Sequence, residues 1–280
     1  MSGFRTDLID GLEFGLRDGD RKKCVVMLHG IGSNFHTFDR LARHLPDDWM
    51  LLAWNAPGYG QSEPLAAERP VAKDYSARLH HLVRSLNLSE FALVGHSLGT
   101  IMAVDYACRF PRDVRHLTLM ACAEGYGMGN EEPLPEKAAA RLADLSAVGA
   151  KKFAEQRAPR LLFEPDTKPD IRDEAIAAMS AIKLPGYAQA VHLLASGTLS
   201  RSSRSVRCPS LVVVGAEDVI TPPSQSEQVH QSLIDDDDRY QHRYRVVSEA
   251  GHLVHKERPE IVASEITTFV NNRKLERVVS

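Results

Sequence analysis

The stretch that most constrains this chain is Phe91-Ala92-Leu93-Val94-Gly95-His96-Ser97-Leu98-Gly99. A short apolar run, fit for a buried strand, enters Gly-x-Ser-x-Gly, and an apolar helical segment from Thr100 to Phe110 leaves it. A serine held at such a joint is a nucleophile elbow. The turn forces the serine into a strained backbone conformation, and a Cβ two positions to either side would collide with it, which glycine avoids. The hydroxyl then stands at the start of a helix, where unpaired N–H groups and the helix dipole favour negative charge. The competing reading is a glycine-rich turn with a surface serine, which leaves the flanking apolar strand and helix without a reason.

Buried strand, loop and helix recur on both sides of this joint. Residues Arg5 to Arg17 alternate loosely ahead of a turn at Asp18-Gly19-Asp20, the pattern of a leading hairpin. Cys24 to Leu28 is a continuous apolar run, as for a strand covered on both faces, and ends in His29-Gly30-Ile31-Gly32-Ser33-Asn34. A helix with apolar positions at Phe35, Phe38, Leu41, Ala42 and Leu45 follows. Trp49 to Trp54 is the next strand, and it ends in the loop Asn55-Ala56-Pro57-Gly58-Tyr59-Gly60-Gln61-Ser62. Val71 to Leu86 is helical, with Tyr75, Leu79, Leu82 and Leu86 on one stripe, and Val114 to Ala121 is a further strand. Such alternation predicts an α/β fold: a doubly wound, mostly parallel sheet with helices on both faces.

The alternation breaks near Gly125 and returns near Ser205. Between them Leu134 to Leu145, Val148 to Leu162, Ile171 to Ile182 and Gly186 to Leu199 read as four helices, punctuated by Pro159, Pro165, Pro169 and Pro185. This predicts a helical cap over residues 125–205, inserted above the sheet's carboxyl edge, with 1–124 and 206–280 forming the core. After it come a strand from Ser210 to Val214, Gly215-Ala216-Glu217-Asp218, a helix opened by Pro222, a strand from Tyr240 to Val247, Ala250-Gly251-His252, and a closing helix from Pro259 to Val270. The acidic run Asp235 to Asp238 reads as a solvent loop. In doubly wound sheets ligands sit beyond the carboxyl ends of the strands. His29, Asn55, Ser97, Glu124, Asp218 and His252 each fall just after a predicted strand, which points to one shared site.

Composition narrows the partners. The 280 residues allow one large domain with an insertion, and the formal net charge of −3 gives no basic face for nucleic acid. No apolar run is long enough to span a bilayer, and Met1-Ser2-Gly3-Phe4 opens no apolar signal core. Cys24, Cys108, Cys122 and Cys208 lack metal-type spacing and read as free thiols. The expectation is a cytoplasmic protein acting on a small molecule, with no nucleic-acid or membrane partner; a homodimer is compatible with it.

A serine hydroxyl needs a base, and the base needs an orienting carboxylate. His252 and Asp218 supply them, in the chain order Ser97, Asp218, His252 that this elbow type uses. His252 is read as general base and then general acid, Asp218 as the group that fixes its tautomer. Asp218 alone would also serve as a helix cap, and Glu217 and Glu124 are alternative acids. His252 and His255 are spaced like a metal pair, but no third ligand is suitably placed, so neither metal nor cofactor is expected. An oxyanion needs two amide donors: Leu98, beside the nucleophile, and Ile31 of the His29-Gly30-Ile31-Gly32 loop, with Gly32 as second choice. Gly30, His96 and Leu253 are assigned to the substrate-binding wall. His29 and His96 are also read as hydrogen-bonding the loops around the site.

These motifs resemble those of the α/β-hydrolase fold family: His29-Gly30-Ile31-Gly32, Pro57-Gly58-Tyr59-Gly60-Gln61-Ser62, Gly95-His96-Ser97-Leu98-Gly99, Gly215-Ala216-Glu217-Asp218 and Ala250-Gly251-His252. The resemblance covers nearly the whole chain and implies a sheet of about eight strands with a helical lid, a Ser-Asp-His triad and no cofactor. Asn55 departs from the aspartate that many relatives carry before the Pro-Gly loop. The lid, from Arg141 through Gly186-Tyr187-Ala188-Gln189-Ala190 to Arg207-Cys208-Pro209, resembles that of 3-oxoadipate enol-lactonases and related lactone hydrolases. This implies hydrolysis of a small ester or lactone, such as an enol-lactone from aromatic-compound degradation. Related carbon–carbon hydrolases often carry asparagine before the serine and an aromatic residue after the histidine; His96 and Leu253 favour ester or lactone chemistry. Ser97 itself argues against haloalkane dehalogenases and epoxide hydrolases, which place aspartate there. A non-catalytic receptor on the same fold is the alternative from another class. Lys151, Lys152, Arg157 and Arg160 of the lid either meet a substrate carboxylate or form a solvated helix face.

Overall fold

A computed structural model of the chain describes residues 3–129, 131–234 and 240–272; the acidic run Asp235 to Asp238 lies outside the described residues. The strands are β1 (Arg5–Ile9), β2 (Leu12–Arg17), β3 (Asp20–Leu28), β4 (Trp49–Trp54), β5 (Phe91–His96), β6 (Val114–Met120), β7 (Ser210–Gly215) and β8 (His242–Val247). They form one eight-stranded sheet in the order β1-β2-β4-β3-β5-β6-β7-β8. Every neighbouring pair from β4 to β8 is parallel, and β1 and β2 add an antiparallel edge.

The leading hairpin is present, but its turn is Asp10-Gly11 and not Asp18-Gly19-Asp20. Ile9 pairs with Leu12 across a two-residue loop, and both loop residues have positive φ. That is the backbone a tight hairpin demands, and Asp-Gly is the dipeptide that adopts it. The Asp18-Gly19 corner instead joins β2 to β3.

The helices are α1 (Asp39–Ala42), α2 (Ala72–Ser85), α3 (Leu98–Arg109), α4 (Glu136–Arg157), α5 (Pro169–Ser180), α6 (Leu184–Ser196), α7 (Leu199–Ser203), α8 (Pro223–Leu233), α9 (Val254–Glu257) and α10 (Pro259–Val270). The helix expected over Phe35 to Leu45 is a 3-10 turn, Phe35–Phe38, leading into the short α1. Alternate residues of the central strand feed two cores. Val26 and Leu28 of β3 pack with Leu79 of α2 and Ile101 of α3, whereas Val25 and Met27 pack with Leu41 of α1 and Ile266 of α10. A strand covered on both faces must be apolar at successive positions, which is why β4, β7 and residues 24–28 of β3 are such plain runs.

Between β6 and β7 every described element is helical: α4 to α7 and the 3-10 turns Ala158–Leu161 and Pro165–Thr167. Two of the helices expected there are one in the structure, α4, broken at Gly149 where φ is 75°. The insertion touches the core backbone to backbone. A Cβ on Gly186 would strike the Gly58 carbonyl, and one on Gly58 would strike Gly186. Only paired glycines permit that approach. Phe153 of α4 meets Tyr187 of α6 edge to face, with ring centroids 5.6 Å apart, and closes the insertion on itself.

Asn55 has a local reason. Its Nδ2 donates to the buried Glu13 carboxylate at 2.5 Å, and its Oδ1 accepts the Phe35 amide at 2.8 Å. Glu13 also accepts the Gln61 amide at 2.8 Å and the Gln61 side chain at 3.0 Å. A second carboxylate at position 55 would face this one, so an amide suits the site. Among the described residues no helix is long and apolar enough to cross a membrane.

Candidate active site

Ser97 sits at the junction of β5 and α3 with φ 52° and ψ −119°, a conformation that L-residues rarely adopt. Such strain costs of order 1–3 kcal/mol and persists only where the surroundings enforce it. Here the Ser97 amide donates to Met120 O at 2.9 Å, and Thr100 Oγ1 donates to Ser97 O at 2.6 Å. A Cβ on Gly95 would lie 2.5 Å from Gly99 O, and one on Gly99 would strike the Leu28 carbonyl. Both glycines of the motif are therefore forced by contacts.

The two distant partners arrive on the loops after β7 and β8. Asp218 Oδ2 lies 2.9 Å from His252 Nδ1, both side chains being buried. Asp218 Oδ1 accepts the amides of Ile220 at 2.8 Å and Thr221 at 2.9 Å. The Thr221 hydroxyl donates to Oδ2 at 2.8 Å and lies 3.1 Å from His252 Nδ1. Burial alone would raise the Asp218 carboxyl; the His252 charge and these hydrogen bonds outweigh it and hold the group below its usual range. Asp218 thus caps loop amides and faces the imidazole at once. The alternative acids are occupied elsewhere: Glu217 accepts the Ala250 amide at 3.0 Å, and Glu124 accepts the Ser200 hydroxyl at 2.6 Å.

Ser97, Leu98, His96 and His252 line one cavity of about 1000 Å³. Its floor is made by the loops after β3, β5, β6, β7 and β8, and its roof by α4, α5 and α6. In this conformation no hydrogen bond joins the Ser97 hydroxyl to the His252 ring. Such bonds commonly tighten only around substrate. Gly30 lies against the nucleophile, a Cβ there falling 2.9 Å from Ser97 Cβ. Leu253 lines the cavity, and its amide donates to Leu161 O of the insertion at 3.2 Å. The Gly32 amide is already engaged, donating to the Tyr59 hydroxyl at 3.2 Å. The amides of Ile31 and Leu98, both on the cavity wall, have no partner among the described contacts.

The histidines divide by role. His29 Nδ1 lies 2.8 Å from Gly30 O, so it carries the proton, and Nε2 accepts the Ala56 amide at 3.0 Å. Burial lowers this ring to about 4. His29 therefore fastens the loop after β3 to the loop after β4 as a neutral group. His96 Nε2 reaches His252 O at 2.9 Å, and His255 Nε2 lies 2.9 Å from the Thr37 hydroxyl. Among the described residues no group of His, Cys, Asp and Glu is placed to hold a metal ion.

Of the lid cations expected near substrate, Arg157 and Arg160 line the cavity, whereas Lys151 and Lys152 are exposed outside it. Arg157 is paired with Asp144 at 2.7 Å and covers the Phe153 ring. Thr221, Tyr59 and Glu257 belong to the site's framework and were not singled out from sequence for it. The Asp218-x-x-Thr221 spacing of a side-chain turn was the only signal for the first. Glu257, with a fully buried side chain, accepts the Gly251 amide at 2.8 Å.

A family model described as the alpha/beta hydrolase fold matches residues 23–259. The chain is 30% identical over 230 residues to a pimeloyl-[acyl-carrier protein] methyl ester esterase of Neisseria meningitidis serogroup C, covering 76% of this chain and 82% of that protein. Among solved structures it resembles the enol-lactonase from Burkholderia xenovorans LB400, with a TM-score of 0.82 at 18% identity over 96% of this chain and 100% of that one. A thermophilic esterase from Thermogutta terrifontis gives 0.80 at 22% identity, covering 98% of both chains. At those identities the structural likeness speaks for the fold, while the family match spans most of the chain. The protein is a hydrolase of the α/β-hydrolase fold family.

Proposed function

We propose that the protein is a cofactor-free serine hydrolase that cleaves a small carboxylic ester or lactone through an acyl-enzyme. His252 takes the Ser97 proton as the hydroxyl oxygen attacks the carbonyl carbon. The amides of Ile31 and Leu98 receive the oxyanion; the Gly32 amide, held by Tyr59, is the weaker candidate. Collapse expels the alcohol, which takes the proton from His252 and leaves Ser97 acylated. Water, deprotonated by the same ring, then frees the acid and restores the hydroxyl. Asp218 keeps Nδ1 protonated throughout, so Nε2 is the free base. Gly30, His96 and Leu253 form the wall beside the ester.

The observation that carries this reading is the 2.9 Å Asp218–His252 contact at the floor of the cavity that Ser97 opens into. An ester is favoured over a lactone, because the likeness to esterases extends to sequence whereas that to the lactonase rests on fold. An enol-lactone from aromatic degradation is the second reading, supported by the lid resemblance. The four cysteines are free thiols, which fits a cytoplasmic setting. A panel of methyl esters, lactones and vinylogous diketones, run with wild type and Ser97→Ala, tests the proposal. Ester turnover lost in the variant is expected. Turnover that survives it rules out Ser97, hydrolysis of only the diketones would make the protein a carbon–carbon hydrolase, and stoichiometric binding without product would make it a receptor.

A further inference from the structure

The geometry points to an anion subsite at Arg141, so that the substrate carries a carboxylate or phosphate besides the scissile ester. The inference rests on the reading of Ser97 as nucleophile and adds the class of substrate.

The charges on the cavity wall do not balance. Its three acids are all engaged: Asp39 with His36 at 3.0 Å, Glu124 with Ser200, and Glu174 with Arg40 at 2.8 Å and Lys256 at 2.7 Å. Arg40 and Lys256 are thereby matched by a carboxylate, and Arg157 is matched by Asp144 outside the wall. Arg43, Lys137, Arg141 and Arg160 also line the cavity, and their side chains make no ion pair or hydrogen bond among the described residues. Of these four only Arg141 is partly buried. A cationic cleft with low-dielectric walls concentrates anions.

Position makes Arg141 the anchor. Lys137, Ala140 and Arg141 recur at helical spacing on α4, and all three face the cavity. Burial raises the Tyr59 hydroxyl; the Gly32 amide lowers it, Tyr187 raises it, and the charge of Arg141 lowers it slightly. The same wall is apolar at Phe153, Met179, Tyr187 and Leu194. A cavity of about 1000 Å³ far exceeds the needs of an ester group alone. Apolar wall and unpaired guanidinium together select a chain with a charged end, and a planar fork suits carboxylate or phosphate.

The test compares monomethyl octanedioate with methyl octanoate, which differ only in the terminal carboxylate. Wild type is expected to favour the charged ester by about tenfold or more in kcat/KM, the ratio falling toward one in Arg141→Gln and with added salt. Lys152→Gln, an exposed cation outside the cavity, keeps the wild-type ratio. Binding is read apart from turnover: octanedioate titrated calorimetrically into Ser97→Ala binds more tightly than octanoate, and adding Arg141→Gln abolishes the difference. An ester of like length ending in phosphate separates a site for any anion from one shaped to a carboxylate. Equal binding of octanedioate and octanoate, or a preference untouched by Arg141→Gln, overturns the subsite. Ester turnover persisting in Ser97→Ala overturns the nucleophile instead, so the two failures are distinguishable.

Discussion

His96 Nε2 lies 2.9 Å from the backbone carbonyl oxygen of His252. A carbonyl only accepts, so Nε2 carries the proton. Nδ1 carries none: burial and the neighbouring His252 lower the ring to about 3, and among the described residues Nδ1 has no partner where it packs against Gly30. The residue before the nucleophile is thus a neutral donor that fixes the loop of the proposed base. His96→Ala leaves the His252 carbonyl buried and unpaired, at a cost of about 1–3 kcal/mol. If that cost falls on the catalytic arrangement, kcat drops about tenfold to a hundredfold while KM moves little. His96→Gln, which restores a donor, is expected to recover part of the loss. Steady-state kinetics on a neutral ester checks both.

Asp218→Asn tests the orientation of the imidazole. Oδ1 accepts two amides, so an asparagine would keep its oxygen there and turn its NH₂ toward His252 Nδ1. Nδ1 would then accept, Nε2 would carry the proton, and the base would be lost. A fall in kcat of about 10⁴-fold is expected, as for the same exchange in a serine protease triad. Thr221→Val removes only the hydroxyl that braces Oδ2 and is expected to cost far less. Single-turnover acylation rates for the two variants distinguish the roles.

What was legible in the chain was whatever local sterics dictate. Gly95 and Gly99 announce the elbow because no other residue fits against Gly99 O and Leu28 O. The strands read as apolar runs because helices cover both faces of the sheet. Contacts between distant loops left no local trace: Tyr59 meets Gly32, and Glu257 meets Phe163, through side chains whose encounter depends on the finished fold. The lid charges were hard for another reason. Gly149 interrupts α4, so the helical phase before it does not carry through to Lys151 and Lys152, which face solvent while Arg141 faces the cavity. The hairpin turn is easily misplaced because two Asp-Gly pairs both reverse the chain, and only the seating of β4 between β2 and β3 leaves Asp10-Gly11 as the turn of an adjacent pair.

Buried neutral histidines make the fold acid-sensitive. Burial lowers His29 to about 4, and burial with the charge of Arg115 lowers His116 to about 4; His96 stands at about 3. The ordinary value is about 6.5. Above it these rings are neutral in folded and unfolded chains alike and add no pH dependence. Below it the unfolded chain takes up a proton on each while the folded chain does not, until about 4. Stability therefore falls as pH drops from about 6.5 to about 4, with a slope of about 1.4 kcal/mol per pH unit for each ring. Urea midpoints measured across that range check the trend. Among the described residues His116 has no hydrogen-bond partner at either nitrogen and packs on Phe269, so His116→Phe is expected to reduce the slope by one ring's share.

Glu257 joins the insertion to the histidine loop. Its Oε1 accepts the Gly251 amide at 2.8 Å, and its Oε2 accepts the Phe163 amide at 3.0 Å and Lys168 Nζ at 2.7 Å. The side chain is fully buried, whereas that of Lys168 is 20% exposed. Every partner is a donor, so even the isosteric Glu257→Gln fails: its NH₂ must face one of them. Glu257→Ala leaves two amides and an ammonium uncompensated, and a loss of about 3–5 kcal/mol is expected. Lys168→Met is milder, because the carboxylate keeps both backbone donors. The loop that Gly251 starts also carries His252, so ester hydrolysis by Glu257→Gln should fail at temperatures where circular dichroism still reports a folded chain. Coincident loss of activity and fold would instead make Glu257 a purely global prop.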